Sequence, residues 1–246
     1  MMETLVIDKE RTKMIAHRGL SGLEAENTAA SFIAAGNKTY YGIECDIHKT
    51  KDNEYVVIHD DNTKRVSNIN KVIKDCAYDE LKELNLFELD QKITKSYLKI
   101  PTLREYLEIC IKYKKVCVIE FKNLFNKHDI SEVLSIVQSY KYLDRCIFIS
   151  FYVENLIAAR LINQTIKLQY LVTKVEEDTI DICKKYHFDI DIEHTSLTRE
   201  LLLEIQKNNI LVNAWTIDNP IVALMLIGWG IDYITTNILE WIWKNY

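Results

Sequence analysis

Residues 41–60 read YGIECDIHKTKDNEYVVIHD, and the reading of this stretch sets the fold. In Tyr41–Asp46, Ile43 and Cys45 alternate with Glu44 and Asp46, so a strand here turns both carboxylates to the same side. Ile47–Thr50 and Tyr55–His59 then flank the turn-like Lys51-Asp52-Asn53-Glu54. A link this short joins only antiparallel strands. A turn about residues 52 and 53 sets Asp46 opposite Ile58 or His59. The chain therefore climbs out of one strand, folds back and returns His59 beside Asp46.

Outward from this stretch, runs of the same apolar kind recur. Candidate strands are Met14–His17, Tyr41–Asp46, Val116–Phe121, Cys146–Ser150, Leu168–Val172, Phe188–Ile192, Leu211–Thr216 and Tyr233–Thr235. Such runs suit parallel strands buried on both faces. Amphipathic helical patterns separate most of them: Asn27–Ala35, Thr102–Tyr113, Asp129–Tyr140, Val153–Ile162, Glu176–Tyr186, Thr198–Lys207 and Pro220–Gly228. Eight repeats in 246 residues favour an α/β fold of the (β/α)8 barrel type. A doubly wound sheet often carries a Gly-rich turn after its first strand, and only His17-Arg18-Gly19 stands there. Residues 61–100 interrupt the alternation after the hairpin. They read as a small cap beside the catalytic face, with Tyr78, Leu81, Leu84, Leu86, Phe87 and Leu89 as its core, inside a single domain spanning 1–246. Trp241, Trp243 and Tyr246 read as a helix or tail packed on the barrel bottom.

A net charge of −5 argues against a non-specific nucleic-acid binder, so any anionic substrate must be met by local cations. Six cysteines without a C-x-x-C pair, most inside apolar runs, read as reduced buried thiols in a cytoplasmic setting. Met1–Lys13 has no apolar core of a signal peptide, and the longest apolar stretch, Ile221–Ile227, is too short to span a bilayer.

Charged residues fall at the C-terminal ends of the candidate strands, where barrel active sites sit. His17 and Arg18 end the first, Glu44 and Asp46 the second, Glu120 and Lys122 the third. Three carboxylates meeting at one mouth repel one another unless a cation neutralises them. An all-oxygen set suits Mg²⁺ or Ca²⁺. Arg18 offers a planar fork and Lys122 a point charge, both suited to phosphate. Two histidines at one rim can divide acid and base roles.

Those residues carry a resemblance. His17-Arg18-Gly19, Glu26-Asn27-Thr28, Glu44-x-Asp46 with Thr50, His59-Asp60 with Arg65, Pro101-Thr102-Leu103, Glu120-Phe121-Lys122, Trp215-Thr216 and Gly230-Ile231-Asp232-Tyr233-Ile234-Thr235 occur in this order over nearly the whole chain. The ordered set resembles the glycerophosphodiester phosphodiesterase family. The resemblance implies His17 and His59 as general acid and base, and Glu44, Asp46 and Glu120 as ligands of a divalent metal. It implies Arg18 and Lys122 as phosphate contacts, and a small-molecule glycerophosphodiester as substrate, cleaved to glycerol 3-phosphate and an alcohol. Glu26 is expected to hold the Arg18 loop or touch substrate, and Trp215 to wall the glycerol or head group or simply to pack. His48, His128, His187 and His194 lack motif support.

Three positions depart from the family pattern: Ala25 for Pro, Thr63 for Leu and Asn237 for Asp. None is expected to touch a metal, acid–base or phosphate position. Two other readings stand beside the first: a lysophospholipase-D-like enzyme acting on acyl-bearing lipids, and a non-catalytic binding barrel. Retention of both histidines and all three carboxylates weighs against the latter.

Overall fold

The computed structural model describes residues 3–8 and 11–241. Eight parallel strands form a closed barrel: β1 (Lys13–Ala16), β2 (Gly42–Lys49), β3 (Val116–Phe121), β4 (Cys146–Ser150), β5 (Lys167–Val172), β6 (Asp189–Glu193), β7 (Val212–Trp215) and β8 (Tyr233–Thr236). Each pairs with the next. Closure comes from β8 on β1, where Ile234 faces Met14 and Thr235 faces Ile15. Helices α1 (Ala29–Gly36), α2 (Leu103–Lys112), α3 (Lys127–Ser139), α4 (Val153–Ile162), α5 (Thr179–Tyr186), α6 (Arg199–Lys207) and α7 (Pro220–Trp229) follow the first seven strands, as the alternation predicts.

Both strand faces are buried, which is why the runs are apolar throughout. On β3, Cys117, Ile119 and Phe121 pack outward with the helices, while Val116 and Val118 join Ile15, Ile147, Ile149, Leu171 and Tyr233 inside the barrel. The inward row of β3 ends in Glu120, and that of β2 in Glu44 and Asp46. The interior thus turns from hydrocarbon to carboxylate at the C-terminal mouth.

One motif piece, Pro101-Thr102-Leu103, proves structural. Thr102 caps α2: its hydroxyl accepts from Glu105 N (3.2 Å), and Glu105 Oε2 accepts from Thr102 N (2.7 Å). Tyr106 on that helix donates to Ile43 O (2.7 Å) and accepts from Val118 N (3.1 Å), pinning α2 to β2 and β3.

β2 does not stop at Asp46. It continues to Lys49 and pairs antiparallel with Tyr55–Val57, Ile47 facing Val57. Ile58 N donates to Asp46 O (3.0 Å), the register expected from the turn. Residues 61–100 hold a 3-10 turn (Ile73–Asp75), a one-turn helix (Tyr78–Leu81) and a small ladder, Leu86–Phe87 with Thr94–Lys95. Ile73, Leu81, Leu84, Leu86 and Leu98 pack with Val56 and Ile58 of the hairpin. Leu89 is exposed and outside this core, because it lies in the turn of the ladder. Thr63 is fully buried; its hydroxyl donates to Ile69 O (2.5 Å) and accepts from Lys71 N (2.9 Å), so this departure orders a turn.

After β8 the reading of Trp241 needs correction. Leu239–Trp241 is a strand, paired in parallel with Leu5–Ile7. Leu239 enters the core, while Glu240 binds Lys38 (3.1 Å) and accepts from the Thr4 hydroxyl. Trp243 and Tyr246 lie outside the described residues.

Candidate active site

Strand register brings the carboxylates together. Asp46 faces Glu120 across the β2–β3 ladder, and Glu44 lies one inward step below Asp46. One oxygen from each of the three falls within 4.8 Å of the others, and all three residues are buried. Burial, then the charges of Asp46 and Glu120, push the Glu44 carboxyl well up from its usual range. Burial and Asp46 push Glu120 up to about 8. For Asp46 burial acts upward too, but Arg18 and Lys122 outweigh it and hold that carboxyl well below its usual range. The trio cannot all ionise unaided at neutral pH. Glu44 Oε1 is moreover buried without a partner. A hard divalent cation fits this donor set, because it would supply the missing charge and give the orphaned oxygen a partner.

The cations sit around it. Lys122 Nζ lies 3.0 Å from Glu120 and 3.5 Å from Asp46. Arg18 Nε is 3.5 Å from Asp46, and Arg18 N donates to Glu44 Oε2 (2.8 Å). The loop bearing Arg18 needs left-handed backbone at Arg18 (φ 55°), Gly19 (φ 79°) and Asn27 (φ 55°). A Cβ on Gly19 would stand 2.4 Å from Ser31 Oγ, which explains the glycine. Glu26 binds Arg18 (3.0 Å) and clamps Arg65 through two bonds of 2.8 Å.

Each histidine has its Nδ1 engaged. His17 Nδ1 is 2.8 Å from Asn237 Oδ1, and His59 Nδ1 is 2.6 Å from Asp60 Oδ1. Asn237 Nδ2 donates to Asp218 Oδ2 (2.6 Å), so its oxygen must face His17, and the ring must donate from Nδ1. Asp60 in turn accepts from Arg65 Nε (2.8 Å). Nε2 is thus the nitrogen left for chemistry on both rings. Burial, then Arg18, lowers His17 to about 4; burial also lowers His59, against the pull of Asp46.

His17, Arg18, Glu44, His59, Glu120 and Lys122 line one wall of a cavity of about 350 Å³ at the barrel mouth. The opposite wall is Ile149, Phe151, Leu171, Asp191 and Trp215. Trp215 meets Phe151 edge to face, ring centroids 5.8 Å apart. A second cavity of about 360 Å³ shares His17 and Arg18 and adds Ser21, Glu26, Asp218 and Asn237. All nine candidate side chains therefore lie in or against one connected site.

Several neighbours escape the sequence reading. Asn27, quoted only as motif, donates to Asp46 Oδ2 (2.7 Å). His48, set aside for want of motif support, is buried and bonds His59 O (3.0 Å) through Nε2, while Asn123 donates to its Nδ1 (2.9 Å). The expectation that Asn237 touches no acid–base position is wrong, because the end of β8 brings it onto His17. Its position two residues past the final motif, where the family carries Asp, was the available signal.

Comparisons with known proteins identify the family. The model of the glycerophosphoryl diester phosphodiesterase family matches residues 17–240. An uncharacterised Bacillus subtilis protein, YqiK, is 31% identical over 93% of this chain and 96% of its own. A Bacillus altitudinis glycerophosphodiester phosphodiesterase is 28% identical over 92% of this chain and 94% of its own. The structure of an Oleispira antarctica phosphodiesterase in complex with the product sn-glycerol-3-phosphate superposes with a TM-score of 0.85, at 25% identity and 92% coverage of both chains. The chain belongs to the glycerophosphoryl diester phosphodiesterase family.

Proposed function

We propose that this enzyme hydrolyses glycerophosphodiesters to glycerol 3-phosphate and an alcohol, with a divalent metal, Mg²⁺ or Ca²⁺, at Glu44, Asp46 and Glu120. The observation that carries the reading is the meeting of three buried carboxylates with two imidazoles on one cavity wall. When bound, the metal supplies positive charge to the phosphoryl oxygens. Arg18 and Lys122 bind the remaining phosphate charge, and Glu26 keeps the guanidinium of Arg18 in place. His17 Nε2 accepts the proton of the attacking hydroxyl, from water or the glycerol itself. His59 Nε2 donates a proton to the leaving alkoxide as the phosphorus–oxygen bond breaks. The partners support this division: anionic Asp60 opposes the burial that lowers His59, so His59 holds a proton more readily than His17, whose partner is neutral Asn237. Trp215 forms the apolar wall.

Six buried free cysteines support a cytoplasmic location, and no described helix is long and apolar enough to cross a membrane. One observation favours acyl-bearing substrates instead: Leu89, Ile93 and Tyr97 are exposed on the cap. Purified enzyme with Mg²⁺ or Ca²⁺ should release glycerol 3-phosphate from glycerophosphocholine faster than it cleaves lysophosphatidylcholine. The reverse order would select the lipid reading. No turnover of either would leave the binding barrel.

A further inference from the structure

The wall facing the metal site holds a carboxyl that the mechanism above does not use. Asp191, on β6, is 2% exposed, lines the cavity, and has Oδ1 without any hydrogen-bond partner. Burial pushes its pKa up to about 8, so at neutral pH the group is mostly the uncharged acid. A neutral carboxyl both donates and accepts, which is the complement of a hydroxyl. Asn213 hydrogen-bonds the Asp191 carboxyl and also exchanges bonds with Thr235 at 2.9 and 3.2 Å, so Oδ1 is the atom left without a partner. Around Asp191 the surface is hydrocarbon, Ile149, Leu171 and Trp215, suited to CH faces.

We propose that Asp191 is a specificity-determining residue that hydrogen-bonds the free terminal hydroxyl of the glycerol half. This rests on the glycerophosphodiesterase reading and deepens it. Two cavities meet at His17 and Arg18, so a phosphate at the junction sends one substituent toward Asp191 and the other toward the rim. The cavity that Asp191 lines ends on Ile149 and Leu171 of the packed barrel interior, and glycerol is the half that every glycerophosphodiester shares. Acylation of the terminal oxygen removes its O–H, leaves Asp191 Oδ1 buried without a partner, and brings a chain up against the packed side chains Ile149 and Leu171. A site built to bond a hydroxyl rejects analogues lacking it far more strongly than an apolar pocket does. Asp191 thereby selects deacylated diesters over acyl-bearing ones.

The test compares glycerophosphocholine with its deoxy analogue, propane-1,2-diol phosphocholine, on wild type, Asp191→Asn and Asp191→Leu. Wild type should prefer the glycerol compound by roughly 10²-fold or more in kcat/KM. Asp191→Asn, which keeps a donor and an acceptor, should retain most of that ratio, and Asp191→Leu should bring it near unity. Equal handling of both compounds by wild type overturns the proposal. So does an equal proportional loss on both in Asp191→Leu, or a loss in Asp191→Asn that affects choline diesters but spares glycerophosphoglycerol. Calorimetry with Mg²⁺ separates the two readings. If wild type cleaves neither diester yet binds glycerol 3-phosphate more tightly than propane-1,2-diol phosphate, the subsite stands and the reaction reading falls. If that binding preference is also absent, the subsite falls.

Discussion

The two walls of the cavity are built on opposite principles. On the β1–β3 side charges are grouped with counter-charges: Lys122 and Arg18 face Asp46, Arg65 clamps Glu26, and Asp60 holds His59, while Glu44 keeps one oxygen unpartnered. On the β4–β7 side one carboxyl stands among hydrocarbon with no cation acting on it. The first wall can carry charge through a reaction because neighbours share it. The second reads shape and a hydroxyl. Their difference separates what drives turnover from what chooses the substrate.

Disabling the charged wall should have the largest effect. Treatment with EDTA should abolish hydrolysis, with recovery on adding Mg²⁺ or Ca²⁺; full activity after exhaustive chelation would remove the metal from the scheme. Next come the imidazoles. His17→Ala and His59→Ala should each lower kcat by ~10²–10⁴ while the unfolding transition stays put. A loss under threefold would mean the ring merely packs. Asn237→Ala should cost less than His17→Ala, since it frees the ring without deleting it, and should act on kcat more than on KM.

The hydrocarbon wall gives a smaller, pH-dependent signature. The Asp191 carboxyl is raised in the folded chain from 3.8 to about 8. Between those values the folded state holds a proton that the unfolded state has lost. Stability therefore falls as pH rises through this window, and the cost is complete above about pH 8. Asp191→Asn cannot ionise, so its advantage over metal-free wild type in urea unfolding should grow from pH 5 to pH 8, by up to about 1.4 kcal/mol per pH unit. A constant difference would show that Asp191 titrates normally. The smallest effect belongs far from both walls. Thr102→Ala removes the cap of α2 and should cost ~1 kcal/mol of stability with kcat unchanged.

The walls also differ in how much the sequence discloses. Glu44, Asp46, Glu120 and Lys122 are readable because a strand's two-residue period fixes which side chains share a face, and the short 51–54 link allows only one return for His59. Nothing local marks Asp191. Its neighbours in Asp189–Glu193 alternate acid and isoleucine, and only barrel closure decides that Asp191 faces the cavity, while Asp189 accepts a backbone N–H from Leu211 at 2.9 Å.

By itself, then, the sequence determined the barrel, the hairpin, and the carboxylates and imidazoles of the mouth, because local periodicity and turn length are short-range constraints. Tertiary structure alone decided the partners: Asn237 on His17 across 220 residues, His48 behind His59, Asn27 on Asp46, and a strand where a helix or tail was expected at Trp241. Such contacts depend on how separate segments are packed together, and for Asn237 and His17 that distance exists only once the last strand has closed on the first.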